Sequence, residues 1–229
     1  MAQRRVKPGW IVVGGALVAA LVWFGSPPLF RQLEFFRVRR VEVRGVKYLD
    51  PRDVATGLKL APRASVFDPI APLQQRARAL PGVVSADVSR RPPGTLRVTL
   101  EEVAPVALVP QADRLRPVGA DGKLLPFDAA LAATDLPLTP EPDSLVTGLL
   151  ARLRDADASL YGQVVSGRRV GGDVVVQVAK RRYWFRPDAT AEVIRAVTAV
   201  AQDLAKKGRS YQELDARFSG YVVVRGRSA

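Results

Sequence analysis

The stretch "LPGVVSADVSRRPPGTLRVTLEEVAPVAL", residues 80–108, contains two segments in which apolar and polar residues alternate. This alternation is typical of a strand with one buried face and one exposed face. The Pro-Pro-Gly sequence between the segments predicts a turn. We therefore predict two consecutive strands. Their inward residues are Val84, Ala86 and Val88 in the first strand and Leu96, Val98 and Leu100 in the second.

The residues that precede this stretch predict one strand and two helices. Val41 and Val43 alternate with charged residues, which predicts a half-buried strand ending at Gly45. Asp50 followed by Pro51 is typical of a helix start, because Asp caps free amides and proline fits the first turn. A second helix is predicted from apolar residues at helical spacing, which are Ile70, Leu73, Ala77 and Leu80. The order strand, helix, helix, strand, strand predicts a small α+β unit.

The chain from residue 105 onward predicts a second unit of short strands, turns and two helices. Turns are predicted at Asp121-Gly122 and at residues 171–173, each between two strand-like segments. One helix is predicted from leucines four residues apart, which are Leu145, Leu149 and Leu153. The other helix is capped by Asp188 or Thr190 and ends at Gly208. Its apolar stripe consists of Val193, Val197, Val200 and Leu204. These elements predict a mixed domain with an antiparallel sheet and flanking helices.

The segment "KRRYWFR", Lys180–Arg186, is the densest cluster of basic and aromatic residues in the chain. Such mixtures bind single-stranded nucleic acid. We favour a strand that places Tyr183 and Phe185 on one face, since a single short segment is weak evidence for a nucleic-acid site.

The N-terminal region contains a run without charged side chains, residues 8–30. A helix from Pro8 to Ser26 would be about 28 Å long at about 1.5 Å per residue, close to a hydrocarbon core of about 30 Å. A cleaved signal peptide has a shorter apolar run, and a buried core helix keeps a polar face. We therefore predict a transmembrane helix over residues 9–30 after a short tail over residues 1–8, which the family resemblance described below implies is cytoplasmic. Basic residues flank both ends of this run, so the charge count alone leaves the orientation open.

The composition excludes several kinds of chemistry. The chain has no cysteine and no histidine, which removes disulfides, thiolate zinc sites and the usual general base. We predict no catalytic residue, no metal site and no cofactor. The net charge of +13 suggests nucleic acid, anionic lipid or an acidic polymer as a partner, but a coding bias toward arginine would give the same balance.

The first region resembles the POTRA domain of the bacterial cell-division family FtsQ/DivIB. The strand "VEVRG", the helix start "LDPRDV" and the stretch at residues 80–108 carry this resemblance. The matching positions are Leu80, Pro81, Val83, Ala86, Val88, Arg91, Pro92, Leu96, Val98, Glu101, Glu102, Pro105, Val106 and Ala107. Gly82 departs from the pattern, because an aromatic residue is common at its position. The resemblance implies a POTRA domain over residues 36–104 and an FtsQ-type β domain over residues 105–229.

The end of the chain, "LDARFSGYVVVRG", residues 214–226, is also similar to the family. Leu214–Phe218 can pair with Tyr221–Val224 as a hairpin around Ser219-Gly220, which leaves the outer edge free. The resemblance implies that partners of the FtsB and FtsL type add a strand to this edge. It implies partner-binding roles for Phe218, Ser219, Gly220, Tyr221, Val222, Val223, Val224 and Arg225.

The function implied by the resemblance is that of a non-enzymatic scaffold that links early and late division proteins. The implied location is the inner membrane at the division septum, with a cytoplasmic N-terminus and the bulk of the chain outside the cytoplasm. Two alternatives stay open from the residues themselves. One is an anchored POTRA protein of export or envelope assembly, and the other is an anchored binder of anionic polymer.

Overall fold

The structure is a computed structural model that describes residues 30–130 and 135–226. The predicted cytoplasmic tail and transmembrane helix lie outside the described residues, apart from Phe30. Within the described ranges, no helix combines the length and the apolar character needed to cross a bilayer. The described residues form two compact units. The first contains residues 30–46 and Asp50–Glu101, and the second contains Lys47–Leu49 and the residues from Glu102 onward.

The first unit contains three strands and two α-helices in the predicted order. In chain order they are β1 (Arg40–Arg44), α1 (Pro51–Gly57), α2 (Ile70–Arg78), β2 (Val83–Arg91) and β3 (Thr95–Glu102). The sheet order is β1-β3-β2, and β1 runs parallel to β3. Asp50 caps α1 by accepting a hydrogen bond from the Arg52 amide at 2.7 Å. The predicted helix start is therefore confirmed.

The core of the first unit is built from the inward residues of the strands and helices. Its buried members include Val54, Leu58, Val66, Leu73, Ala77, Ala86, Val88, Leu96, Val98 and Leu100. Val84 was predicted to face inward, but it is 58% exposed. It is the second residue of an edge strand, where fewer neighbouring elements cover the sheet, so alternation alone overestimates its burial. Leu80 lies beyond α2, because the residue before a proline disfavours helical geometry.

Gly45 ends β1 in a conformation that requires glycine. Its φ is +80°, and a Cβ placed there would lie 2.1 Å from the Leu100 carbonyl oxygen. The chain can therefore leave the sheet at this point only without a side chain.

The described residues of the second unit form seven strands and three α-helices. They are β4 (Ala107–Gln111), β5 (Arg114–Val118), α3 (Ser144–Ala156), α4 (Ala158–Tyr161), β6 (Val164–Val170), β7 (Asp173–Val178), β8 (Arg181–Phe185), α5 (Ala191–Lys206), β9 (Glu213–Asp215) and β10 (Val223–Arg225). Five of the strands form a sheet in the order β10-β9-β8-β7-β6. Most neighbours are antiparallel, as predicted, but β8 and β9 are parallel because α5 connects them as a crossover.

Helices α3 and α5 bury their apolar stripes in the core of the second unit. The stripe of α3 is Val146, Leu149, Leu150 and Leu153, whereas Leu145 is 41% exposed. Residues four apart drift around a helix with 3.6 residues per turn, so a stripe of this length alternates steps of three and four. Thr190 caps α5, and Gly208 ends it at a φ of +63°. Ile194, Val197 and Leu204 are buried on α5, and Val193 and Val200 are partly buried.

The cluster "KRRYWFR" forms β8. Tyr183 and Phe185 are 3% and 0% exposed, so the predicted buried face is confirmed. Two of its basic side chains have partners within the unit: Arg182 pairs with Glu213, and the Arg181 guanidinium lies 4.4 Å from the centre of the Tyr211 ring. These contacts account for Arg181 and Arg182 without a nucleic-acid ligand.

Candidate functional site

The strand β10 lies at one end of the five-stranded sheet and pairs only with β9 among the described strands. The two strands are antiparallel, with Val223 opposite Asp215, Val224 opposite Leu214 and Arg225 opposite Glu213. The sequence predicts a hairpin here, and the structure has one. Its strands are shorter than expected and its connection is longer, because residues 216–222 form a loop rather than two strand ends.

The side chain of Asp215 explains where β9 stops. Its Oδ1 accepts a hydrogen bond from the Arg217 amide at 3.3 Å and another from the Arg217 Nε at 2.8 Å. A carboxylate that binds the amide two residues ahead favours a turn over a continued strand. Gly220 then reverses the chain with a φ of +84°. The loop is therefore set by local interactions that the apolar pattern of the strand does not reveal.

The backbone of Val224 faces the outer edge of the sheet. The carbonyl of Arg225 accepts a hydrogen bond from the Gln212 amide at 2.9 Å, so the backbone of Arg225 faces β9. Backbone groups of successive residues point to opposite sides of a strand. The N–H and C=O of Val224 consequently face away from β9, where within the described residues no strand pairs with them.

The opposite edge of the same sheet is covered by the chain itself. The Leu138 amide donates to the Val165 carbonyl at 3.0 Å, and the Gly167 amide donates to the Leu138 carbonyl at 2.9 Å. On its other side, the segment around Leu138 bonds to Leu108 of β4. Within the described residues, the two ends of the five-stranded sheet therefore differ: the backbone of β6 has partners on both sides, and β10 has a partner on one.

Three large apolar side chains are exposed near the β10 edge. Phe218 is 41% exposed, Tyr221 is 62% exposed and Val224 is 41% exposed. The rings of Phe218 and Tyr221 stack with centroids 5.6 Å apart and an interplanar angle of 4°. A cluster of exposed aromatic residues beside an unpaired strand edge is typical of an interaction surface.

A groove of about 490 Å³ runs between α5 and the loop that precedes β10. Its apolar lining residues are Val193, Ala196 and Val200 from α5 and Phe218, Tyr221 and Val222 from the loop. Glu192 lies at the groove as its charged residue. The groove and the strand edge share the residues from Phe218 to Val222, so one bound segment could contact both.

A charged network fixes β10 to the rest of the sheet. Asp215 is fully buried and binds Arg217 at 2.6 Å and Arg225 at 3.0 Å. Arg217 also binds Asp173 of β7 at 2.8 Å, and its guanidinium lies 4.6 Å from the centre of the Trp184 ring. Hydrogen bonding to Arg217 is the largest cause that lowers the pKa of Asp215, and Arg225 lowers it further through its charge. The carboxylate therefore stays ionised and holds three strands together.

The structure divides the predicted site residues into two groups. Val223, Val224 and Arg225 are in β10, and the other five, Phe218, Ser219, Gly220, Tyr221 and Val222, are in the loop that lines the groove. The contribution of α5 was not predicted. Val193 and Val200 belong to the stripe expected to pack on the sheet. The sequence of a regular amphipathic helix does not distinguish such partly exposed residues from the buried residues of the same stripe. Among the residues that the structure describes, no group of three acidic side chains is placed to hold a metal ion.

Comparisons with known proteins found three similarities. The family profile described as "POTRA domain, FtsQ-type" matches residues 36–102. The chain is 28% identical over 225 residues to the cell division protein FtsQ of Rhodothermus marinus, and the match covers 84% of this chain and 79% of that protein. A solved structure of the major extracytoplasmic domain of the cell division protein DivIB from Geobacillus stearothermophilus is 20% identical, with a TM-score of 0.34. That match covers 46% of this chain and 97% of the other.

Proposed function

We propose that this chain, which resembles the FtsQ/DivIB family of bacterial cell-division proteins, is a non-enzymatic scaffold of the division machinery. It links early and late division proteins by binding a partner of the FtsB or FtsL type. The family resemblance favours this role over the alternative in export or envelope assembly. The observation that carries the proposal is the outward-facing backbone of Val224 at a sheet edge that the described chain leaves unpaired.

The partner adds a strand to the outer side of β10. Main-chain hydrogen bonds to the N–H and C=O of Val224 give affinity, and alternating side chains fix the register. An unpaired edge strand with exposed apolar residues also favours aggregation, so a bound partner removes that hazard. The covered edge at β6 explains why β10 rather than the other end of the sheet is the docking edge.

The groove beside β10 gives the interaction its specificity. Phe218 and Tyr221 present aromatic surface, and the α5 residues behind them form an apolar floor. The groove would accept an apolar side chain of the partner next to the added strand. Burial of such a side chain contributes about 1.5–3 kcal/mol. Arg225 keeps half of its side chain exposed while bound to Asp215, so it can also attract an acidic residue of the partner.

The scaffold is anchored in the inner membrane through the uncharged run at residues 8–30. The short tail before this run is cytoplasmic, and the bulk of the chain lies outside the cytoplasm at the division septum. This placement brings the β10 edge to the side of the membrane on which the extracytoplasmic parts of other division proteins lie.

Strand addition is tested by a substitution that removes one outward-facing N–H of β10 and leaves the hydrogen bonds between β10 and β9 intact. Val224→Pro deletes the N–H that faces the partner, and proline is tolerated at the open side of an edge strand. We expect the full-length variant to fold and to bind an FtsB-type partner at least about tenfold more weakly, since it loses a hydrogen bond and gains a steric block. Val223→Pro is a poor test, because the backbone of Val223 faces β9.

Val224→Thr is the matched control, because it keeps the β-branched shape and the backbone amide. It should co-purify with the partner as the unchanged protein does. Equal partner binding by Val224→Pro and Val224→Thr, with both variants folded by circular dichroism, would overturn the proposed mode of binding.

A further inference from the structure

A second exposed apolar surface lies at the start of the first unit, in residues 30–40. Leu33 is 45% exposed and Phe35 is 61% exposed. They belong to an aromatic cluster in which the Phe36 ring lies 5.1 Å from Phe35, 5.3 Å from Phe30 and 5.0 Å from Phe67. Phe36 and Phe67 are partly buried, so they hold the segment on the unit. Phe35 extends from this cluster toward solvent rather than completing it.

Basic residues flank the exposed residues along the chain. The segment contains Arg31, Arg37, Arg39 and Arg40, and its single acidic residue is Glu34. Glu34 is bound by Arg37 at 2.9 Å. The Arg39 guanidinium lies 5.9 Å from the centre of the Phe35 ring and donates to the Phe35 carbonyl at 2.7 Å. The surface therefore has an apolar centre and a cationic rim, which complements a layer of anionic headgroups over acyl chains.

The position of this surface along the chain decides what covers it. Leu33 follows the uncharged run at residues 8–30 by three residues, and Phe35 follows it by five. Extended residues span at most about 3.6 Å each, so Phe35 lies within about 18 Å of the end of that run. The headgroup region on each side of a bilayer is about 5–8 Å thick. A membrane that contains the run is thus within reach of both exposed side chains.

We propose that residues 30–40 lie on the outer surface of the same bilayer and bind anionic phospholipids. Leu33 and Phe35 enter the interface, and the arginines of the segment contact lipid phosphates. This inference rests on the proposed membrane anchor. It gives the first unit a defined attachment to the membrane surface in addition to its covalent link to the anchor.

The absence of cysteine makes the test direct, because one introduced cysteine carries a single spin label. Full-length Phe35→Cys is reconstituted into vesicles of phosphatidylcholine, with or without phosphatidylglycerol. The accessibility of the label to oxygen and to a water-soluble nickel complex is then measured by power saturation. We expect the Phe35 label to be more accessible to oxygen than to nickel in the anionic vesicles and to shift toward nickel in the neutral ones.

Two further labels make each outcome decisive. Val84→Cys is the matched control, because Val84 is a similarly exposed apolar residue of the same unit, and its label should stay accessible to nickel. Val18→Cys reports on the anchor. A Val18 label in water overturns the proposed membrane placement and this inference with it. A Val18 label in the bilayer combined with a Phe35 label in water overturns this inference alone. So does spin–spin broadening at Phe35, which would show that a second copy covers the surface.

Discussion

Asp215 helps to fix the proposed docking edge, β10, to the rest of the sheet. It ends β9, binds Arg217 and Arg225, and lies fully buried at the point where β10 meets the sheet. Its side chain is nearly the same size as asparagine, so Asp215→Asn removes the charge with little change in packing. We expect the substitution to lower the free energy of unfolding by about 2 kcal/mol, since charge-assisted hydrogen bonds are lost. Urea unfolding of the full chain followed by circular dichroism measures this change.

The pH dependence of the stability difference between the native chain and Asp215→Asn tests whether the charge of Asp215 stabilises the fold. The folded state lowers the pKa of Asp215, so its contribution is fully present above the ordinary carboxyl pKa. The contribution is lost as pH falls through the lowered value, because the carboxyl is then protonated in both states. The stability difference between the native chain and Asp215→Asn should therefore shrink below about pH 4. A difference that stays constant down to pH 2 would contradict the assignment.

Glu102 shows how much of a residue's role a sequence pattern can reveal. Its position in the family pattern is evident from the sequence, but from the sequence alone a glutamate at the end of a strand is expected to be an exposed charge. In the structure its carboxylate accepts hydrogen bonds from the amides of Lys47, Tyr48 and Leu49, each at 2.8–2.9 Å. These partners are more than fifty residues away in the sequence. The periodicity of a helix or strand gives no information on contacts at that distance.

Among the elements, α3 provides a matched pair of leucines for testing the core. Leu149 is 0% exposed within the stripe, and Leu145 is 41% exposed on the same helix. Leu149→Ala should lower the free energy of unfolding by about 2–5 kcal/mol, because it leaves a cavity in the core. Leu145→Ala should cost less than about 1 kcal/mol. Similar losses from both substitutions in urea unfolding would show that the assigned stripe is wrong.

The loop between β9 and β10 is tested through Tyr221. Its ring is mostly exposed, so Tyr221→Ser should leave the stability within about 0.5 kcal/mol of the unchanged protein. If Tyr221 is a hot spot of the partner surface, its loss should weaken binding by about 2 kcal/mol. Titration of the full chain with an FtsB-type partner measures the affinity.

Leu115→Ser serves as the control for Tyr221→Ser, since Leu115 is 41% exposed in β5, away from the groove lining. This variant should bind the partner normally. Binding that weakens equally in both variants would point to a general effect of surface polarity rather than to the groove.

Structural features that depend on residues close together in the sequence could be predicted, and features that depend on distant residues could not. The buried face of β3 and the Asp50 cap were predicted, and Thr190 was one of two predicted caps for α5, because each depends on residues a few positions apart. The parallel pairing of β8 with β9 was not predicted, because it depends on the path of α5 across the sheet. The cover that Leu138 gives to β6 was also missed, since a proline-rich segment carries no strand signal.

At the scale of the whole molecule, the five-stranded sheet of the second unit has two different edges. The described chain covers the edge at β6 and leaves the edge at β10 unpaired. The sequence identified the uncovered edge through its resemblance to a known family, and the structure adds that Val224 is the residue whose backbone faces outward. The groove that accompanies the edge required α5 and the loop to be placed together. The proposed strand addition at this edge would pair the partner with the Val224 amide.

Hydrogen exchange resolved to single amides, measured on the full chain with and without an FtsB-type partner, tests that claim most directly. The Val224 amide should exchange quickly in the free protein and at least about tenfold more slowly in the complex, because the added strand accepts its hydrogen bond. The Val223 amide faces β9 and should be protected in both states. Partner binding that leaves the Val224 amide exchanging at its free rate would contradict strand addition at β10.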